Sequence, residues 1–312
     1  MAYLVEAKNV TKAFVTKTNL WGKAQEYFLA LNNVSLAVAE NEIVGLVGES
    51  GSGKSTLGRL LTYLIKPDQG EILFAGQNLN QRGLEQGQRN LRQQRRNFQI
   101  VFQDPDSALD PRWEVGRSVL EGLLVFEPGL TKAAQSKRLN ELLDLVALPH
   151  LIAHKYPHQL SGGQKQRLAI ARALILKPKF LVLDEVASAL DMSIQAQILN
   201  LLRAIQQELK LSILFISHDL AVIEYISQRV AVMWQGKLVE MGPSKILAKA
   251  PYHPYTRRLF SAVPSLKTKT KRFKVQPEEL TPLNSPQTLT QLASSDYLKR
   301  EIAPDHFVFL PK

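Results

Sequence analysis

The residues best placed to do chemistry stand in a few short runs. Gly48-Glu49-Ser50-Gly51-Ser52-Gly53-Lys54-Ser55-Thr56 has the spacing G-x-x-x-x-G-K-[ST]. Glycines let a main chain approach a phosphate and turn its N–H groups inward, and a helix N-terminus behind them adds a positive dipole end. In such a loop Lys54 reaches the β- and γ-phosphates of a nucleotide, and the Ser55 hydroxyl ligates Mg2+. A second run, Phe180-Leu181-Val182-Leu183-Asp184-Glu185, is apolar and closes on two carboxylates. Asp184 suits the shell of a Mg2+ ion, and Glu185 is placed to polarise an attacking water as a general base. As parts of a nucleotide site, Lys54 and Asp184 are expected on an otherwise hydrated surface.

A third run, Leu160-Ser161-Gly162-Gly163-Gln164, supplies a hydroxyl and main-chain N–H groups at the start of another helix, a second anion-binding device. One nucleotide does not need two such cradles far apart in sequence. The economical arrangement is two chains face to face, each offering Ser161, Gly162, Gly163 and Gln164 to the ATP held by the other.

These runs need elements to hold them. Ile43–Val47 reads as a buried strand entering the phosphate loop, and Thr56–Ile65 as the helix leaving it, closed by the turn Lys66-Pro67-Asp68-Gln69-Gly70. Leu4–Val10 and Leu31–Val38 alternate as half-buried strands, with the polar Thr16–Gln25 between them an insertion or hairpin. Gln81–Arg96 is polar and Arg-rich and reads as a loop. Thr131–Ala147 is a helix with Thr131 as its cap and Leu139, Leu142, Leu143 and Val146 on one face. Gly162–Leu176 is a second helix, and Ile194, Ile198, Leu201, Leu202, Ile205 and Leu209 mark a third. Phe180–Leu183, Ser212–Ile216, Val230–Trp234 and Lys237–Met241 are strands. Strands alternating with helices predict an α/β core with a mostly parallel sheet in three layers. From Pro277 onward the chain is rich in Pro, Ser, Thr and Leu without a clear period.

The 312 residues are enough for one large domain or two modest ones. There is no cysteine, which excludes disulfides, thiolate zinc sites and cysteine-ligated clusters. No apolar stretch reaches 18 residues, and Met1–Val10 lacks the pattern of a secretory signal, so the default is a soluble or membrane-peripheral protein. A formal net charge of +11 points to an acidic contact. Seven Lys and Arg with no acid fall in 257–274, and Lys267–Lys274 reads as solvated surface or a contact with anionic lipid.

In this order and spacing the runs resemble the ATP-binding cassette (ABC) ATPases over about residues 3–250. The resemblance implies a P-loop ABC-ATPase core with an N-terminal antiparallel part, binding ATP and Mg2+. It makes Gln103 the Q-loop residue that senses Mg2+ and water, Ser188-Ala189-Leu190-Asp191 the D-loop, and His218 the switch that contacts the γ-phosphate. It also implies an aromatic stacked on adenine. Phe14, in Asn9-Val10-Thr11-Lys12-Ala13-Phe14, is the choice, with Tyr27 its rival. The expected organisation is an ATP-binding domain over 1–250 with a helical subdomain at about 90–160, followed by an extension over 251–312.

A narrower resemblance is to the oligopeptide/dipeptide and nickel importer ATPases. It rests on Phe102-Gln103-Asp104-Pro105-Asp106-Ser107-Ala108-Leu109-Asp110-Pro111-Arg112, on Ser193–Leu199, on Ser217–Leu220, and on Pro251-Tyr252-His253-Pro254-Tyr255-Thr256 with Ala262-Val263-Pro264. It differs in two places. Val186 stands where relatives often have Pro after the catalytic Glu, and the tail lacks the cysteine cluster many relatives carry, although Asp305-His306-Phe307 resembles its closing stretch. The resemblance implies the ATPase subunit of an importer, with oligopeptides or dipeptides as cargo and nickel or another small solute as the alternative. Its partners would be a second ATPase subunit, two membrane permeases and, through them, an extracytoplasmic substrate-binding protein, at the cytoplasmic face of the cell membrane. Nucleic-acid-handling relatives usually carry a coiled-coil insertion, zinc cysteines or two cassettes, and none of these is present, so no nucleic-acid partner is expected.

Overall fold

The structure, a computed structural model, describes residues 3–18, 24–79, 93–188, 190–261 and 297–311. Residues 80–92, Ala189 of the D-loop run, Ala262-Val263-Pro264, the basic stretch Lys267–Lys274 and the Pro277 stretch up to residue 296 lie outside the described residues. The chain divides into two compact units, Met1–Gln81 with Phe215–Lys312, and Arg82–Leu214.

The first unit opens with two long strands, β1 (Tyr3–Thr18) and β2 (Ala24–Ala39), paired antiparallel from Tyr3↔Ala39 to Thr18↔Ala24. Alternation along them buries Val5, Val10, Leu31, Val34 and Val38. The two strands run into the polar segment expected as an insertion or hairpin and leave only 19–23 undescribed. Next come β3 (Ile43–Val47), whose every residue is buried, and α1 (Lys54–Leu61). β4 (Gln69–Phe74) and β5 (Gln77–Asn78) extend the first sheet in the order β2-β1-β4-β5. β4 begins inside the predicted turn because Thr11 of β1 offers Gln69 a partner, ahead of the pairing of Lys8–Val5 with Glu71–Phe74, which the local sequence does not show.

The second unit holds β6 (Phe98–Val101), α2 (Val115–Phe126), α3 (Lys132–Leu145), α4 (Gly162–Leu174), β7 (Phe180–Asp184) and α5 (Met192–Leu209). β6 and β7 are parallel, Phe98↔Phe180 through Val101↔Leu183. Thr131 caps α3 as expected, its hydroxyl accepting from the Ala134 N–H at 3.3 Å. α2 is not among the helices marked in the sequence. Its apolar residues Val115, Val119 and Leu123 recur every four, but the stretch also holds Gly116 and Gly122 and starts at Glu114 without a side-chain cap. It forms because Val115, Val119 and Leu123 are buried.

The unit boundary falls inside β8 (Ser212–Ile216). The first unit then continues through α6 (Leu220–Ile226), β9 (Arg229–Trp234), β10 (Lys237–Pro243), α7 (Ser244–Lys249) and α8 (Pro254–Ser261), and resumes at β11 (Tyr297–Ala303) and β12 (His306–Pro311). β3 pairs parallel with β9, and β9, β10, β12 and β11 pair antiparallel in that order. Both sheet types and the flanking helices give the expected α/β class. The terminal hairpin departs from the aperiodic reading of the tail. Its residues are mostly exposed and only His306 and Val308 are buried, so its alternation is faint.

Candidate functional site

In the first unit the phosphate loop leaves the buried β3 and enters α1. Gly51 takes φ +78° with no atom within 4 Å of a placed Cβ, so glycine is required there by conformation, and the side facing it is open. Gly53 takes φ +103°, and a Cβ there would lie 2.5 Å from the Ala30 carbonyl oxygen, so the loop also needs glycine to pass β2 closely. Gly53 is the N-cap of α1 and contributes no side-chain hydrogen bond. The N-cap thus offers the first-turn N–H groups of α1 no side-chain acceptor.

Lys54 curls back over the loop. Its Nζ donates to the Gly48 carbonyl at 2.7 Å and to the Glu49 carbonyl at 2.8 Å. Ser52 Oγ is buried with no hydrogen-bond partner. An orphan hydroxyl, an uncapped helix start and an ammonium set in one loop fit a polyphosphate. Ser55 and Thr56 lie in the first turn of α1. The turn after β9 pins the loop, the Gly236 N–H donating to the Ser52 carbonyl at 3.0 Å.

His218 is exposed just before α6. The Ser217 N–H donates to the Leu46 carbonyl at 3.2 Å, tying its segment to β3. Asp219 caps α6, accepting from Ala221 N at 2.9 Å and Val222 N at 3.3 Å. Phe14 pairs with Phe28, and Val15 with Tyr27. Because successive residues of a strand point to opposite faces, Phe14 and Tyr27 lie on opposite faces of the hairpin. They are 39% and 41% exposed, and Lys12 Nζ lies 5.7 Å from the Phe14 ring centre. Phe28, which sequence reasoning passed over, shares the Phe14 face.

In the second unit Asp184 ends the buried β7. Glu185 follows at φ +52°, a left-handed conformation uncommon for a residue with a Cβ, and its carbonyl accepts from Ser188 N at 3.2 Å and Ser188 Oγ at 2.8 Å. Such geometry clusters where a side chain must be aimed. Val186 is buried, packed where a proline would otherwise stiffen the chain. Lys54 and Asp184 are each only 5% exposed, which corrects the expectation of a hydrated surface. The loop carbonyls wrap the ammonium, and the carboxylate is still inside its strand.

Ser161 and Gln164 form a reciprocal cap at the start of α4. Gln164 N donates to Ser161 Oγ at 3.3 Å, and Ser161 N to Gln164 Oε1 at 3.0 Å. Their side chains thus serve the helix itself, and the neighbouring Gly162 is exposed. Gly163 sits against α5, where a Cβ would lie 2.9 Å from Ile194 Cγ2. Asp191 caps α5, and the Ile194 N–H and the Ser193 hydroxyl hold its carboxyl below the usual range. Gln103 is exposed, two residues beyond β6. The segment that follows it is fastened to α4 by two side chains that sequence reasoning did not single out. Lys165 Nζ lies 2.6 Å from Asp106 Oδ1, and Arg172 donates to the Ala108 carbonyl at 2.7 Å and to Glu121 at 2.8 Å.

Comparison with known proteins adds to this geometry. The family described as ABC transporter matches residues 31–188, and the one described as oligopeptide/dipeptide transporter, C-terminal region, matches residues 239–288. A Brucella ovis protein named for peptide import as an ATP-binding protein is 45% identical over 289 residues, covering 89% of this chain and 90% of its own. The glutathione import ATP-binding protein GsiA of Salmonella paratyphi A is 46% identical over 261 residues, covering 84% of this chain and 41% of its own. Among solved structures, the dimeric post-hydrolysis state of the ATP-binding cassette MJ0796, bound to ADP and Pi, superposes with a TM-score of 0.66 at 31% identity, over 77% of this chain and 98% of that one. The cassette cbiO1 from Clostridium perfringens, part of the ABC transporter complex cbiONQ, covers 79% of this chain and 91% of its own at 29% identity and a TM-score of 0.66.

Proposed function

Because the chain belongs to the ABC transporter ATPase family, with the C-terminal region of its oligopeptide/dipeptide branch, we propose that it hydrolyses ATP to power an importer of oligopeptides or dipeptides. The observation that carries the ATP site is the phosphate loop: an ammonium folded over it, an orphan buried hydroxyl in it and an uncapped helix start behind it. The cargo reading is supported by the C-terminal match and by relatives named for peptide and glutathione import.

In this reading the N–H groups of the loop and of the first turn of α1 hold the phosphates, and Lys54 offsets charge on the β- and γ-phosphates. Ser55, Asp184 and Gln103 would be the protein's share of a Mg2+ shell. A hydroxyl, one carboxylate and an amide oxygen suit an ion that usually keeps several waters and takes phosphate oxygens. Such an ion would supply withdrawal of charge from the phosphates. Glu185 accepts the proton of the attacking water, and His218 bonds the γ-phosphate. Phe14 stacks on adenine, with Tyr27, on the other face of the hairpin, as its rival. Ser161, Gly162, Gly163 and Gln164 serve the ATP of a second cassette, whether copy or paralogue. Two membrane permeases and, through them, an extracytoplasmic binding protein complete the assembly, with this chain at the cytoplasmic face of the membrane. That contact is peripheral in this reading, and among the described residues no helix is long and apolar enough to cross a membrane.

Glu185→Gln tests the chemistry. It should keep ATP affinity and lower turnover by about 10²–10⁴, the usual share of a general base. Near-normal hydrolysis by this variant removes Glu185 from the role. Purification of the complex from its native membrane, with its subunits identified, tests the partners.

A further inference from the structure

The C-terminal extension reaches the phosphate loop. The Glu49 N–H donates to the Tyr255 hydroxyl oxygen at 2.9 Å, across 206 residues of chain. The carbonyl of Glu49 accepts from Lys54 Nζ at 2.8 Å and from Ser52 N at 3.2 Å. The two polar groups of this one residue are thus fixed, the N–H by α8 and the C=O by the loop's own lysine and backbone.

Tyr255 is itself held from every side. It is 1% exposed, and its ring stacks on Trp234 with centres 5.3 Å apart and planes 18° from parallel. Its N–H donates to His253 Nδ1 at 3.2 Å. The N–H groups of Tyr252 and His253 donate to the wholly buried Glu240 carboxylate at 2.8 and 2.9 Å, and His306 of the terminal hairpin meets the same carboxylate at 2.7 Å. Burial pushes the Tyr255 phenol up to about 12, so it stays a neutral hydrogen-bonding group. Arg258 adds an exposed contact to the Glu49 carboxylate at 3.4 Å.

We propose that Tyr255 is a positioning residue for the nucleotide phosphates: its hydroxyl fixes the Gly48–Glu49 peptide so that the Gly48 carbonyl of that same planar unit, which accepts from Lys54 Nζ at 2.7 Å, faces Lys54 before nucleotide arrives. The proposal rests on the phosphate loop being the ATP site. Without the hydroxyl, the Glu49 N–H is left without its acceptor beside an apolar ring, and the peptide gains freedom to turn and release Lys54. A loop that must be ordered by its ligand binds more weakly than one already ordered. Chemistry at Glu185 and His218 is untouched, so the effect belongs to binding.

The test is Tyr255→Phe in the full chain, which keeps the ring on Trp234 and removes only the acceptor. ADP affinity by calorimetry should fall about tenfold, the scale of one unsatisfied buried donor. KM for MgATP should rise by the same factor while kcat stays within about twofold. Tyr252→Phe, a neighbouring and exposed tyrosine, should change neither. Unchanged ADP affinity in a folded Tyr255→Phe chain overturns the proposal, as does a fall in kcat with KM unchanged. If Tyr255→Phe does not fold, amide exchange in the nucleotide-free parent chain decides: protection at the Glu49 N–H supports the proposal, and exchange at the rate of an open loop overturns it. Failure of the parent chain to bind ADP at all would instead sink the ATP-site reading, and the amide measurement is independent of that.

Discussion

Gly163→Ala sets two terms of known size against each other. A Cβ at this position lies 2.9 Å from Ile194 Cγ2, on the first turn of α5. Ile194 is β-branched, so its Cγ2 does not swing aside without moving the backbone or leaving its rotamer. Overpacking of this kind costs about 1–3 kcal/mol. Against it, alanine for glycine inside a helix returns up to about 1 kcal/mol. The net should be a destabilisation of about 1 kcal/mol. Ile194→Ala removes the offending methyl, so the clash disappears in the double variant. Urea unfolding of the four chains should then show a coupling of about 1–2 kcal/mol, the double variant losing less than the two single losses combined. Gly163→Ala as stable as the parent, or losses that add to within about 0.5 kcal/mol, would refute the contact. The same four chains separate packing from function. If Gly163 also serves a partner's ATP, Ile194→Ala restores the packing but not the ATPase rate.

Three further expectations follow from particular contacts. Lys54→Ala should abolish measurable ATP binding and also lower stability by about 1–3 kcal/mol, because the Gly48 and Glu49 carbonyls lose a charged donor; a chain of parental stability in thermal melting would contradict the buried placement. Burial holds His253 at about 4, with Glu240 opposing the shift and Arg257 adding to it. The unfolded chain takes up this proton near 6.5 and the folded chain only near 4, so the stability is whole above about pH 6.5 and is lost as pH falls through that window, by at most about 3 kcal/mol. His253→Asn keeps an acceptor for the Tyr255 N–H and should flatten that part of the pH profile in urea unfolding; an unchanged slope would exclude His253 as its source. Thr131→Ala should cost about 1 kcal/mol through loss of the α3 cap, and no loss in urea unfolding would mean the 3.3 Å bond contributes nothing.

What was legible in the sequence is what is decided locally. The phosphate loop, the Asp184 strand and the helix start at Gly162 are each set by spacing within a few residues, and each is found at its predicted place in the chain; the reciprocal cap that Ser161 and Gln164 form there is an addition. The Thr131 cap and the α5 stripe belong to the same class. The rest depends on residues far apart. β4 needs β1, and α2 needs its burial to outweigh two glycines and a missing cap. Burial of Lys54 comes from carbonyls that only the folded loop turns inward. Glu240 did leave a trace, an acid at an apolar position of Lys237–Met241. Its partners, from 252–253 and from His306, have no period that ties them to it. Tyr255 stood in a recognisable segment, Pro251–Thr256, yet nothing in that segment says its hydroxyl meets Glu49.

The Gln103 segment shows how local and distant signals combine into one mechanical part. Asp104 and Asp110 shape it locally: the Asp106 N–H donates to Asp104 Oδ1 at 3.0 Å, and the Arg112 N–H to Asp110 Oδ1 at 2.9 Å. Such bonds hold a shape but not a position. Position comes from α4, through Lys165 on Asp106 and Arg172 on the Ala108 carbonyl. The Lys165 pair is partly exposed and weak alone. Arg172 contributes more, because it bonds a main-chain carbonyl and Glu121 of α2 with the two ends of one planar group. Helix α4 therefore carries the Ser161 cap at its start and grips the residues after Gln103 with its side. One helix thus joins the two runs by direct bonds, at its first turn to Ser161 and along its side to Asp106 and the Ala108 carbonyl.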